Sequence, residues 1–86
     1  SKTMFTAVKL GIFDLLYQHR VHENGMGLSA SQVAQHLDCD STAMQTLLDS
    51  CVSLSLLTKE DGCYLATAES ETYLCKHSPH RMTGYI

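Results

Sequence analysis

Residues 29–57, SASQVAQHLDCDSTAMQTLLDSCVSLSLL, decide the fold. Ser29 followed three places on by Gln32 is a capping-box pattern, in which the serine hydroxyl and the glutamine amide each satisfy a backbone N–H that the first helical turn leaves open. Ala30, Val33, Ala34 and Leu37 then repeat at helical spacing. Asp38-Cys39-Asp40 is a three-residue turn, and Asp40 or Ser41 can cap the helix that follows. In that helix Met44, Leu47, Leu48, Cys51 and Val52 form one apolar stripe. Two helices joined by so tight a turn make a helix-turn-helix.

Downstream the period changes. Leu56-Leu57-Thr58-Lys59 and Cys63-Tyr64-Leu65-Ala66 read as two short strands around the turn Glu60-Asp61-Gly62, where Asp-Gly is a strong hairpin signal. Thr67 can cap a further helix through Glu69, Glu71, Tyr73 and Leu74, with acidic residues in its first turn and Lys76 and His77 in its last, as the helix dipole prefers. Ser78-Pro79 starts another, since proline suits the first helical position. Upstream, Met4 to Tyr17 reads as one helix: Met4, Phe5, Val8, Ile12, Leu15 and Leu16 share an arc of about 120° when each residue turns by 100°. That arc is a core face. Leu10 and Phe13 fall outside it, beside Thr3, Thr6, Lys9 and Asp14, and form a second apolar patch that a small core cannot also cover. Gly11, costing about 1 kcal/mol against alanine, marks a kink or a close backbone approach. His19 to Gly27 loses periodicity and reads as a solvated loop. The fold class is therefore mainly α: a winged helix-turn-helix with a small two-stranded wing, one domain over residues 1–86.

Composition agrees with one packed domain. The chain has 86 residues, 44% hydrophobic and 17% charged, with a net charge of −3, which excludes a disordered tail or a polybasic nucleic-acid arm. No apolar run approaches the roughly 18 residues of a spanning helix, and no signal peptide opens the sequence, so no membrane partner is expected. Cysteines stand at 39, 51, 63 and 75, twelve apart. Their flanks share no pattern and no Cys-x-x-Cys pair occurs, so they read as reduced thiols of a cytoplasmic protein, with Cys51 a small buried hydrophobe. The chain begins at Ser1 without an initiator methionine and ends in the apolar stretch Met82, Tyr85, Ile86. It reads as a piece of a longer polypeptide.

No motif in these residues carries chemistry. Cys75, His77 and His80 are potential zinc ligands, as are His19 and His22, but a structural site needs four ligands at paired spacing and Pro79 interrupts the helix that would align the first three. Gly25-Met26-Gly27 follows a loop rather than a strand and so lacks the context of a dinucleotide turn. No nucleophile elbow surrounds any serine or cysteine. Catalytic, cofactor-binding and metal-binding residues are accordingly expected to be absent. The rival reading is a winged-helix DNA-binding transcriptional regulator domain, which rests on fold analogy alone. Charge opposes it. Between Val21 and Thr58 there is no Lys or Arg, while Glu23, Asp38, Asp40 and Asp49 are present; the second helix of the pair begins Asp40-Ser41-Thr42-Ala43, and Lys59 in the wing is offset by Glu60 and Asp61. Such a face repels phosphates, so no nucleic-acid partner is expected.

The stretches FTAVKLGIFDLL (5–16), SASQVAQHLDCDSTAMQTLLDSCVSLSLL (29–57), TKEDGCYLATAES (58–70) and ETYLCKHSPH (71–80) together resemble the N-terminal dimerisation domain of class I S-adenosylmethionine-dependent small-molecule O-methyltransferases, in the acetylserotonin O-methyltransferase branch. LGIFDLL and LLDSCVSLSLL are its most specific parts. YQHRVHENGMG (17–27) looks like an insertion relative to that family. The resemblance implies a module that entwines with its twin in a homodimer, while a C-terminal methyltransferase domain of Rossmann type in the same chain binds S-adenosylmethionine and does the chemistry. It implies no cofactor in the present residues. Leu10, Phe13, Tyr73, Met82 and Tyr85 are then the interface candidates. In the family the first helix of one subunit approaches the substrate of the other, which makes Met4 and Phe5 candidates for a substrate-pocket wall; the plain alternative is that both are core. Like-proteins of that branch carry a nucleotide-pyrophosphatase-like domain upstream.

Overall fold

Gly11 divides what the sequence presents as one helix. In the computed structural model, which describes residues 1–23 and 25–74, α1 spans Lys2–Leu10 and α2 spans Ile12–His22. Gly11 adopts φ 82° and ψ 21°, a left-handed conformation that glycine reaches without the Cβ penalty other residues meet. Its N–H closes α1 on the Val8 carbonyl at 3.1 Å, and its own carbonyl accepts the Leu15 N–H at 2.9 Å to open α2. The break resets the helical phase. Ile12 and Leu16 remain in the core as expected, but Phe13 joins them and is fully buried, whereas Phe5 is 62% exposed and Met4 only half-buried. The expected exposed patch of Leu10 and Phe13 is thereby corrected: Leu10 is partly exposed, and Phe13 belongs to the core. A second correction concerns the loop expected from His19, because α2 continues through His22.

The helix-turn-helix follows its local signals. α3 spans Ala30–Leu37 and α4 spans Ser41–Ser53. The capping box is complete, the Ser29 hydroxyl accepting the Gln32 N–H at 3.2 Å and the Gln32 amide oxygen accepting the Ser29 N–H at 2.9 Å. Asp40, rather than Ser41, caps α4 by accepting the Ala43 N–H at 2.9 Å. Between them Asp38 turns left-handed at φ 56°, and the Cys39 N–H reaches the Ala34 carbonyl at 2.8 Å, a Schellman closure made without glycine. Val33 and Ala34 of α3 meet Met44, Leu48 and Cys51 of α4 in the buried core, with Leu47 and Val52 half-buried at its edge.

The wing pairs β1 (Leu57–Glu60) with β2 (Cys63–Ala66), antiparallel, in the register Leu57 to Ala66 and Glu60 to Cys63. Asp61 and Gly62 alone form the turn, both at positive φ, 51° and 77°, the mirror-image geometry that matches strand twist. Glu60, expected in the turn, is the last residue of β1. A third segment joins the sheet edge: Leu28 bridges Tyr64, the Leu28 N–H donating to the Tyr64 carbonyl at 3.2 Å and the Leu28 carbonyl accepting the Tyr64 N–H at 2.7 Å. Gly27 is what permits this approach, since a Cβ there would lie 2.6 Å from the Tyr64 carbonyl oxygen. α5, Ala68–Leu74, starts at Thr67 as expected, with Thr67 Oγ1 accepting the Ser70 N–H at 3.2 Å. Cys75 and the tail candidates His77, His80, Met82 and Tyr85 lie outside the described residues. No described helix is long and apolar enough to cross a membrane.

Candidate functional site

A surface groove is built where α1, the α4–β1 connection and α5 meet. The connection is a second Schellman closure: Ser55 is left-handed at φ 63°, its N–H bonds the Val52 carbonyl at 3.0 Å, and the Leu56 N–H bonds the Cys51 carbonyl at 2.9 Å. The turn throws Leu54 outward, where it is 46% exposed. α5 is fastened to this connection through hydroxyls. The Ser70 hydroxyl donates to the Leu56 carbonyl at 2.8 Å, and the Thr67 N–H donates to the same oxygen at 3.2 Å. Thr67 Oγ1 and Ser70 Oγ are themselves 2.9 Å apart. Facing α1 across Leu54 and Leu56, α5 presents Tyr73, Leu74 and Glu69, and α1 supplies Met4; together they enclose about 250 Å³ of largely apolar groove. Tyr73 is 45% exposed at its rim, and Phe5, next to Met4 in sequence, stands out into solvent with the Lys9 ammonium 5.4 Å from its ring centre.

Two polar clusters lie outside the lining of this groove. At one end of α2 the Arg20 guanidinium grips the Glu71 carboxylate with both arms, Nε to Oε2 at 2.6 Å and Nη2 to Oε1 at 2.8 Å. On the wing, the Tyr64 hydroxyl donates to Asp49 Oδ1 at 2.5 Å, and Lys59 Nζ meets the same oxygen at 3.2 Å while lying 5.1 Å over the tyrosine ring. The Tyr64 hydrogen bond, followed by Lys59, holds the Asp49 carboxyl below its ordinary range; burial is the main cause pushing the Tyr64 phenol up. Burial likewise raises the Cys51 thiol. The wing lysine is thus tied to a carboxylate on α4, the helix that would read DNA in a regulator.

The candidates from the sequence are distributed unevenly. Met4 and Tyr73, assigned to different roles, line one groove. Phe5 and Leu10 sit about 140° apart on the α1 wheel, so no single flat patch holds both. Leu54 and Leu56 give no sign in the sequence of lining a groove, because the shift from helix to strand conceals a left-handed turn at Ser55. His19 and His22 line a second groove with His36, Leu15, Gln18 and Glu23, but no three His, Cys, Asp or Glu side chains among the described residues converge as metal ligands do.

Comparison with known proteins places this arrangement. A family model of the O-methyltransferase dimerisation domain matches residues 1–76. The chain belongs to this family. Acetylserotonin O-methyltransferase of Gallus gallus is 43% identical over 83 residues, covering 92% of the chain and 22% of that protein. The human protein described as a probable bifunctional dTTP/UTP pyrophosphatase/methyltransferase is 31% identical over 86 residues, covering 100% of the chain and 13% of its own length. Among solved structures, human N-acetylserotonin methyltransferase in complex with SAM superposes with a TM-score of 0.74 at 35% identity, over 91% of the chain and 22% of that structure. An O-methyltransferase family protein from Burkholderia thailandensis gives 0.79 at 28% identity, over 93% and 22%. The chain therefore spans about a fifth or less of the relatives it matches. Its winged-helix architecture is the dimerisation fold of this family, and none of these relatives is described as a regulator of transcription.

Proposed function

We propose that this domain joins two subunits of a small-molecule O-methyltransferase into a homodimer, using the apolar face around Met4, Leu54, Leu56 and Tyr73, with Leu10, Met82 and Tyr85 as further interface residues. Methyl transfer then belongs to a C-terminal domain of the parent chain that holds S-adenosylmethionine, and the working compartment is the cytoplasm. The carrying observation is an exposed apolar rim, Leu54 at 46% and Tyr73 at 45%, with Phe5 at 62% exposed elsewhere on α1, in a chain whose family is a dimerisation domain. Covering such a rim releases about 25 cal/mol per Å² of apolar area, offset in part by the freedom lost on association. A symmetric twofold contact is the commonest way to close it. Met4 and Phe5 are proposed to face the partner subunit's substrate, since Phe5 is exposed on α1 and Met4, half-buried, lines the open groove rather than the sealed core.

Sedimentation equilibrium at tens of micromolar is the test. A dimer is expected, weakened by Tyr73→Asp and Leu54→Lys with the circular dichroism unchanged. Phe13→Asp serves as the contrast: with its side chain fully buried, it should unfold the domain rather than merely separate subunits. A folded chain that stays monomeric throughout the range would refute the proposal.

A further inference from the structure

α5 carries two walls of the groove, Tyr73 and Leu74; Leu74 packs against the core, and two polar anchors hold the helix to either side of it. Its single buried residue is Ser70, a hydroxyl side chain. Its neighbour Glu71 is the other anchor, with a side chain 16% exposed against 41% for its partner Arg20. Consecutive residues on a helix point about 100° apart, so anchoring Ser70 to the Leu56 carbonyl and Glu71 to Arg20 fixes the rotation of α5 about its axis. On the same wheel Leu74 falls between the two anchors and Tyr73 lies about 60° beyond Ser70, on the side away from Glu71. That setting turns Tyr73 to the rim of the groove. The Arg20 guanidinium also lies 5.7 Å from the Tyr17 ring centre, and a planar fork gripping both carboxylate oxygens transmits orientation as a point charge cannot.

We infer that Arg20 is a positioning residue for self-association: through Glu71 it sets the rotation of α5, and with it the shape of the face that receives the second copy. This rests on the dimer proposed above. The fork adds little to global stability, as partly exposed pairs generally do. Its effect falls on the geometry of α5, which Ser70 and Leu74 hold on one side and the fork holds on the other.

The experiment compares wild type, Arg20→Ala, Arg20→Lys, Glu71→Gln and the exchanged pair Arg20→Glu with Glu71→Arg. Dimer dissociation constants come from sedimentation, and amide hydrogen exchange is followed separately for α5 and for α3–α4. Arg20→Ala and Glu71→Gln should weaken the dimer about tenfold or more and speed exchange in α5, leaving α3–α4 protected. The exchanged pair should recover most of the affinity, and Arg20→Lys should recover little. Unchanged α5 exchange and dissociation constant in Arg20→Ala, or failure of the exchanged pair to rescue, would overturn the inference. A monomeric wild type would refute the dimer, while exchange in α5 would still report whether Arg20 positions that helix.

Discussion

Gly27→Ala is the smallest change that tests how the wing is attached to the core. An added Cβ would stand 2.6 Å from the Tyr64 carbonyl oxygen, 3.1 Å from its carbon and 3.2 Å from the Cys63 Cβ. Two of these neighbours are backbone atoms of β2, which cannot step aside as a side-chain tip could. Gly27 does not need a left-handed backbone, so alanine carries no conformational penalty there and by restricting the unfolded chain would stabilise by about 0.4–1 kcal/mol. Against that, relieving the overlap requires a backbone shift costing about 1–3 kcal/mol. Any shift acts on the Leu28–Tyr64 pair, whose hydrogen bonds at 3.2 and 2.7 Å contribute about 1 kcal/mol each. With both hydrogen bonds lost the balance is a loss of about 2–5 kcal/mol, a large share of the roughly 5–15 kcal/mol of a small domain, and a fall in Tm of at least about 8 °C. Urea and thermal unfolding followed by circular dichroism would measure it. Gly25→Ala is the control, because Gly25 has open space around it but a positive φ of 78°, so only backbone strain is added. A Gly27→Ala protein within about 0.5 kcal/mol of wild type, ordinary for surface changes, would refute the close approach and with it the third strand segment of the wing.

Two further outcomes follow from the wing cluster. Because the Asp49 carboxyl is held below its ordinary value of 3.8, the stability it contributes is complete above that value and is lost as pH falls through its lower folded one; acid unfolding should be shallower below pH 4 in Tyr64→Phe, and an unchanged acid limb would contradict the Tyr64–Asp49 bond. Binding to arbitrary duplex DNA, measured by fluorescence anisotropy, should be weaker than the roughly 10⁻⁴ to 10⁻⁶ M of ordinary non-specific binders at about 150 mM salt, should gain little at lower salt and should not change with Lys59→Ala. Tight binding with a steep salt dependence that disappears in Lys59→Ala would favour the regulator reading.

Signals confined to a few neighbouring residues translated directly into structure. The Ser29–Gln32 box, the Asp40 cap, the Asp-Gly turn and the Thr67 cap each concern a backbone N–H or a backbone φ within a turn of the residue that serves it, so the sequence holds all the parts. Phe13 shows where this ends. Its placement depended on a helical wheel carried through Gly11, and a wheel is valid only while every residue turns by the same 100°. One left-handed glycine ended that assumption, rotated α2 against α1, and exchanged the fates of two phenylalanines: Phe13 entered the core and Phe5 left it. The sequence marks Gly11 as a kink or a close backbone approach, but whether it bends or interrupts the helix depends on what α2 must pack against. Ser55 hides a similar turn behind a residue type that seldom adopts it. Gly27 looks like an ordinary loop glycine, because the atom that forbids a side chain there belongs to Tyr64 on another element. The groove illustrates the same limit on a larger scale. Met4, Leu54 and Tyr73 come from three separate segments, so no period or spacing can join them. The link is supplied by the Leu56 carbonyl and by Arg20, whose contacts bring α5 against the rest of the fold. Apolar patterning identifies which faces must be buried, whereas here the exposed face is arranged by polar anchors, and those become visible only once the chain has folded.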